Sequence, residues 1–173
     1  YVNANQLRSI YFAIFSSILN YGAIVWGQRA NSSIKRIENI QNKAIRIINF
    51  ATFNSPTNTL YKNSSILKFT DYIKLQNFLL IHDDLNKINP YGLQSTFKLA
   101  KDLHSHSTRG ATNNKVLLPK IKKVTYGEYS INYQAAKIWN EIVTRFANEH
   151  LQDKSRSTCK KFLLSYFIEQ YNN

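Results

Sequence analysis

Apolar residues in this chain fall into one long run near the start and several stripes at helical spacing further on. The run Ile10–Trp26 (IYFAIFSSILNYGAIVW) contains no charge, the nearest being Arg8 and Arg29. Its length raises the question of a membrane span. Ser16, Ser17, Asn20 and Gly22 interrupt it, Tyr11 and Tyr21 carry hydroxyls that need partners, and no basic flank or small-residue cleavage site accompanies it. The expectation is therefore a buried helix, ended or kinked at Gly22, with Trp26 anchoring the next turn.

Residues 31–51 (NSSIKRIENIQNKAIRIINFA) give the clearest pattern. At about 100° per residue, Ser32, Lys35, Arg36, Asn39, Asn42, Lys43, Arg46 and Asn49 share one arc. Ile34, Ile37, Ile40, Ala44, Ile45, Ile47, Ile48 and Ala51 take the opposite one, and Glu38 lies at the border. Ser32 or Ser33 can cap its amino end. This predicts a core-packed helix with a Lys/Arg/Asn outer face.

A loop around Asn54, Ser55 and Pro56 precedes a short helix over 57–63. Thr70 and Asp71 form a helix-start signal for about 70–88, carried by Tyr72, Leu75, Leu79, His82 and Leu85 and stopped by Asn89–Pro90–Tyr91–Gly92. From 93 to 131 the periodicity fades, which predicts an irregular segment with a short hairpin around 116–131. Ala135, Ile138, Trp139, Ile142, Val143 and Phe146 restore a helical stripe. Asp153 then caps a final helix that begins with Lys154, Arg156, Lys160 and Lys161 and buries Phe162, Leu163, Tyr166 and Phe167. The fold class is mainly α, a helical, bundle-like arrangement of about five helices with a small irregular or β-hairpin segment.

Composition narrows what such a fold is for. With 43% apolar residues, five Gly and three Pro in 173 residues, a disordered or low-complexity chain is excluded. Lys and Arg number 23 against 10 Asp and Glu, a formal charge of +13 that favours polyanions as partners. One cysteine, Cys159, allows no internal disulfide, so an intracellular setting, nucleus or cytoplasm, is expected rather than secretion. The absence of methionine and the abrupt start at Tyr1 predict a piece of a longer chain.

Catalytic patterns are weak. Asp83–Asp84 invites comparison with paired metal-binding aspartates of polymerases and nucleases. On a helix, however, adjacent residues point about 100° apart, so a solvated helix face is expected. His104 and His106 lack a strong third ligand for zinc. Cys159 has no base partner, and a semi-buried thiol is expected. No phosphate loop, nucleophile elbow or zinc-protease motif occurs. Neither a catalytic residue nor a metal site is assigned.

Basic clusters remain: Lys35, Arg36, Lys43 and Arg46; Lys115, Lys120, Lys122 and Lys123; and Lys154, Arg156, Lys160 and Lys161. Such residues neutralise phosphates, and Asn39, Asn42 and Asn49 can donate to phosphate or sugar oxygens without adding charge. The leading contacts are Lys35, Arg36, Lys43 and Arg46 with Asn39 and Asn42; Arg109, Lys122, Lys123, Lys160 and Lys161 are secondary.

The stretches IYFAIFSSILNYGAIVWG (10–27), IKRIENIQNKAIRIINF (34–50), SSILKFTDYIKLQNFLLIHDDL (64–85), HSHSTRG (104–110) and YSINYQAAKIWNEI (129–142), in that order, resemble the carboxyl-terminal part of reverse transcriptases from LINE-like, non-long-terminal-repeat retrotransposons. The resemblance implies that residues 1–92 are the end of the palm and a helical thumb, and that 93–173 are a carboxyl-terminal extension. It further implies a sequence-independent grip on RNA or an RNA/DNA template–primer duplex, with the 31–51 helix in the thumb. The palm of the same polyprotein, with its catalytic aspartates and Mg2+, would be a partner outside this chain, so no cofactor and no polymerase activity are expected of the chain alone, nor any membrane partner. Ala135–Ala136 stands where relatives often show Gly-Pro. A stand-alone basic protein that binds RNA or an acidic protein is the alternative.

Overall fold

The computed structural model describes residues 2–28, 31–90, 94–102, 114–122 and 127–172. Helix dominates these residues: α1 (Ala4–Ile10), a π-helical stretch (Tyr11–Ser16), α2 (Ser17–Asn20), α3 (Ala23–Trp26), α4 (Asn31–Ile48), α5 (Thr57–Asn63), α6 (Phe69–Leu85), α7 (Ile131–Arg145) and α8 (Arg156–Glu169). The mainly α class is the one that the periodicities predict. The chain forms two compact units, Tyr1–Ile73 with Leu163–Asn173, and Lys74–Phe162.

In the first unit, Asn3 and Gln6 close a capping box at α1, each side chain accepting from the other's backbone N–H at 2.9 Å. The helical run ends where expected, at Gly22, whose φ of +63° suits a residue without Cβ. Trp26 is the anchor beyond it, stacked on Phe69 with ring centroids 5.1 Å apart. The burial expected for residues 10–26 is not found. Only Tyr11 and Ala23 are buried, whereas Ile10, Ile14, Ile18, Tyr21 and Val25 are exposed. The helix uses one narrow edge for packing, and its exposed Ile10, Ile14 and Ile18 border an open apolar groove. No helix among the described residues is long and apolar enough to cross a membrane.

One polar side chain organises this unit. Gln41, 2% exposed, lies on the inward side of α4. Its amide donates to the Tyr11 hydroxyl and the Leu67 carbonyl, both at 2.9 Å, and its oxygen accepts the Phe69 N–H at 2.9 Å. That N–H is one of those left open at a helix start. α6 thus begins one residue before the Thr70 cap expected from sequence, because a side chain from another helix satisfies its first amide. Around this network pack Tyr11, Ile45, Ile48, Tyr61, Ile66 and Tyr171. Tyr171 fixes the carboxyl-terminal segment by accepting from the Lys68 N–H at 3.0 Å and donating to Asp71 at 2.8 Å.

In the second unit, Trp139 on α7 is fully buried, stacks on Phe78 at 4.6 Å and donates its indole N–H to the Asn114 carbonyl at 3.0 Å. Ser130 caps α7 through the Tyr133 N–H, and Ala135 and Ala136 sit fully buried within it. The hairpin expected around 116–131 does not form among the described residues. Val116 instead makes an isolated antiparallel bridge with Leu99, while the Asn140 side chain holds both the N–H and the carbonyl of Val116, at 2.8 and 2.9 Å. A side-chain amide takes the place of a second strand. Ser155, rather than the expected Asp153, caps α8, its hydroxyl accepting from the Thr158 N–H at 3.2 Å.

Gln41→Leu keeps the shape but strips three buried groups of their partner. It should cost about 3 kcal/mol in urea unfolding, since each orphaned buried group costs about 1–3 kcal/mol. Burial, the largest cause at each site, pushes the hydroxyls of Tyr11, Tyr61 and Tyr171 above their ordinary value. A folded pKa raised above the unfolded one gives stability that is complete below about pH 10 and lost as pH climbs beyond it. In an ultraviolet titration these three tyrosines should therefore ionise only together with loss of helical circular dichroism; reversible ionisation of all eleven tyrosines in a still-folded chain would contradict it.

Candidate nucleic-acid interface

α4 spans 18 residues, about 27 Å of helix. Its inward side is set by Ile34, Gln41, Ile45 and Ile48, all buried. Turning about 100° per residue, Lys35, Arg36, Asn39, Lys43 and Arg46 then fall on the side facing away from that core. Lys35, Arg36, Asn39 and Lys43 are exposed as expected, and among the described residues no carboxylate forms an ion pair with Lys35, Arg36 or Lys43. The apolar arc is narrower than the sequence suggests. Ile40 and Ile47 are 54% and 62% exposed and flank the cationic arc, because the buried amide of Gln41 pulls the inward side away from them.

Two expected contacts have work inside the protein. The Asn42 side-chain oxygen accepts the Tyr61 hydroxyl at 2.9 Å. Arg46, half-buried, donates its Nε–H to the Ser55 carbonyl at 3.1 Å, and its guanidinium lies 5.8 Å from the centre of the Phe53 ring, within cation–π range. Asn49 also turns inward, donating to the Ile45 carbonyl and the Ser64 hydroxyl, each at 2.8 Å.

Sequence reasoning passed over the turn at the carboxyl end of α4. The Ala51 N–H reaches the Arg46 carbonyl at 2.9 Å and the Phe50 N–H reaches that of Ile47 at 3.1 Å, the double closure of a Schellman motif. Its left-handed position holds Phe50, at φ +50°, where glycine is usual. A turn then closes from the Ser55 N–H to the Thr52 carbonyl at 3.1 Å, with a 2.8 Å bond between the two hydroxyls, and puts Phe53 near its tip. Phe50 and Phe53 are 68% and 75% exposed. The available signal was FATF, two rings in a polar loop directly after a basic helix.

The second unit carries the secondary candidates. Lys120, Lys122, Lys160 and Lys161 are exposed. Lys154 pairs with Glu149 at 2.8 Å, and Arg156 with Asp83 at 2.8 Å. Arg109, Lys123, His104 and His106 lie outside the described residues. Asp83 and Asp84 correct the expectation of a solvated face, for both are buried. Asp83 receives the Arg156 Nε–H, and Asp84 accepts the Phe97 N–H at 2.9 Å. His82 donates from Nε2 to the Lys154 carbonyl at 2.9 Å, as a carbonyl can only accept, and Nδ1 stays 3.6 Å from Asp83. Both oxygens of Asp83 and one of Asp84 are engaged by the fold, while the buried Asp84 Oδ1 has no hydrogen-bond partner, and no group of three or more His, Cys, Asp or Glu that could hold a metal occurs among the described residues. Cys159 is fully rather than semi-buried, donates to the Leu151 carbonyl at 3.0 Å, and has its thiol pushed up by burial, the opposite of an activated nucleophile.

Comparison with models of protein families, with curated proteins and with solved structures finds no match to this chain.

Proposed function

We propose that this chain is a helical module that grips the sugar–phosphate backbone of RNA or an RNA/DNA duplex without reading sequence, in the manner of the thumb of a LINE-like reverse transcriptase. The observation that carries the reading is the outer side of α4, where Lys35, Arg36 and Lys43 are exposed beside Asn39. Lysine and arginine held on one rigid face displace counterions from phosphates, and Asn39 adds a neutral donor. Lys122, Lys160 and Lys161 add positive charge in the second unit. Polymerisation itself would belong to a palm with its own aspartates and Mg2+; Asp83 and Asp84 do not fit that role, because both are buried, Arg156 pairs with Asp83, and no third His, Cys, Asp or Glu joins them in a metal-holding group among the described residues.

If about five phosphates are engaged, log affinity for duplex should fall against log salt with a slope of about −4 to −5. Lys35→Ala with Lys43→Ala should make that slope shallower by about 2 and leave sequence preference unchanged. Neither side chain has a partner among the described residues, so stability should hold. A salt-independent affinity, measured by fluorescence anisotropy, would defeat the reading.

A second reading, a protein-binding module, has an observation of its own. An apolar groove of about 330 Å³ runs between Leu7, Ile10, Ile14 and Ile18 on one wall and Ala44 and Ile47 on the other. Through residue 70 the chain has eight Lys and Arg and only Glu38 to oppose them, so the occupant that fits is an amphipathic helix with acidic flanks. If that is the main role, an acidic amphipathic peptide should displace a bound partner where heparin and RNA do not. The reverse order of competition supports the backbone grip.

A further inference from the structure

The cationic arc of α4 leads directly into an unusual pair of rings. A phenylalanine in left-handed backbone carries strain that glycine would not, and no burial offsets it here, since Phe50 points most of its surface into water. Phe53 is likewise exposed at its tip, yet its turn is ordered by three hydrogen bonds: Ser55 N–H to Thr52, the Thr52–Ser55 hydroxyl pair, and Arg46 to the Ser55 carbonyl. The Arg46 guanidinium that holds the turn also lies over the Phe53 ring, so one face of this ring is supported. Two rings three residues apart have Cα atoms separated by at most about 11 Å, a span of roughly three stacked bases.

We propose that Phe50 and Phe53 form a stacking platform for unpaired bases, so that this end of α4 takes single-stranded nucleic acid whose phosphates run along Lys43, Arg36 and Lys35. The proposal rests on the backbone-binding reading and adds a strand type to it. Anionic charge and flat apolar faces together describe a nucleic acid with its bases turned out. A paired duplex offers the charge but keeps its base faces stacked inside. Each base stacked on an aromatic ring contributes to affinity whatever its identity, which suits a site built from rings and cations. In this arrangement Arg46 serves as a positioning residue: it fixes the turn and the ring rather than a phosphate.

The test compares labelled oligouridine RNA, the same strand without bases, and a blunt RNA duplex, on the full chain by fluorescence anisotropy. Phe50→Gly removes one ring and relieves the left-handed strain, so the variant should be at least as stable as the parent; Phe53→Ala removes the other. Each should weaken oligouridine binding by about fivefold or more, leave its salt slope unchanged, and leave the abasic strand and the duplex unaffected. Phe50→Trp should restore oligouridine binding and report it by fluorescence quenching. Equal affinity of the parent for the oligouridine and the abasic strand would overturn the platform while the backbone grip stands. Failure of all three probes to bind at low salt would remove the grip and the platform with it. Self-association of the parent that the ring variants abolish, with oligouridine binding unchanged, would assign the rings to an interface between copies and overturn the proposal.

Discussion

A glutamine in an apolar seam has few ways to be satisfied, and Gln41 engages both ends of its amide: two donations, to Tyr11 and Leu67, and one acceptance, from Phe69. Any rotation of α4 about its axis would break bonds that water cannot replace in a buried site, at a cost of about 1–3 kcal/mol for each group left open. Apolar packing alone is permissive, since a helix with isoleucines at 34, 37, 40, 45, 47 and 48 has a wide oily sector. The hydrogen bonds select one setting within it. That setting buries Ile45 and Ile48, leaves Ile40 and Ile47 in water, and turns Lys35, Arg36 and Lys43 to the outside. The same residue starts α6 and ties down the π-helical stretch, so the first unit inherits its geometry from one polar side chain.

With more than two bases for each acid, most cations in this chain cannot find a carboxylate. The fold satisfies several of them in other ways. Arg8 donates to the Ser64 carbonyl at 2.8 Å and lies 5.0 Å from the Phe12 ring centre. Arg46 uses the Ser55 carbonyl and Phe53, and Lys68 lies 4.6 Å from the Tyr171 ring centre. Arginine suits this role because its planar fork can serve a carbonyl while its face meets a ring. After that sorting, Lys35, Arg36 and Lys43 remain on α4. Their charge stays available at the surface because the fold does not consume it.

Where the sequence was legible, the signal was periodic and local. The extent of α5, the course of α4 up to its last turn, the buried stripe of α7, the stop at Gly22 and the Trp26 anchor follow from spacing and from residues whose backbone preferences are strong, whereas the start of α7 at Ile131 does not. Three kinds of information were not legible. Gln41 is polar by type, yet its burial depends on partners 26 to 30 residues away in sequence. Asp83 and Asp84 look solvated until Arg156, 73 residues on, and the Phe97 N–H close over them. The strand-like pairing of Val116 comes from a helical asparagine, which no strand pattern announces. The candidate site divides in the same way. Exposure of Lys35, Arg36 and Lys43 follows from periodicity, whereas the inward use of Asn42 and Arg46 required knowing where Tyr61 and Ser55 would lie.

α4 therefore presents three sectors with different physics. The inward sector holds the fold, the cationic sector is polar and rigid, and between them on one side Ile40 and Ile47 remain wet. Ile47 lines the apolar groove, and Phe50 lies three residues beyond it. The polyanion and the apolar partner of the two proposed readings would meet the same helix on adjoining sectors, with Lys43 lying between Ile40 and Ile47 in sequence and one turn from each. A partner seated in the groove would lower the dielectric around Lys43 and strengthen its attraction for a phosphate, provided that partner brings no carboxylate to that lysine. An acidic flank would do the reverse and compete for the charge. On the proposed function, occupancy of the groove and occupancy of the cationic face would be coupled through Lys43, with a sign set by the charge that the groove's occupant places there.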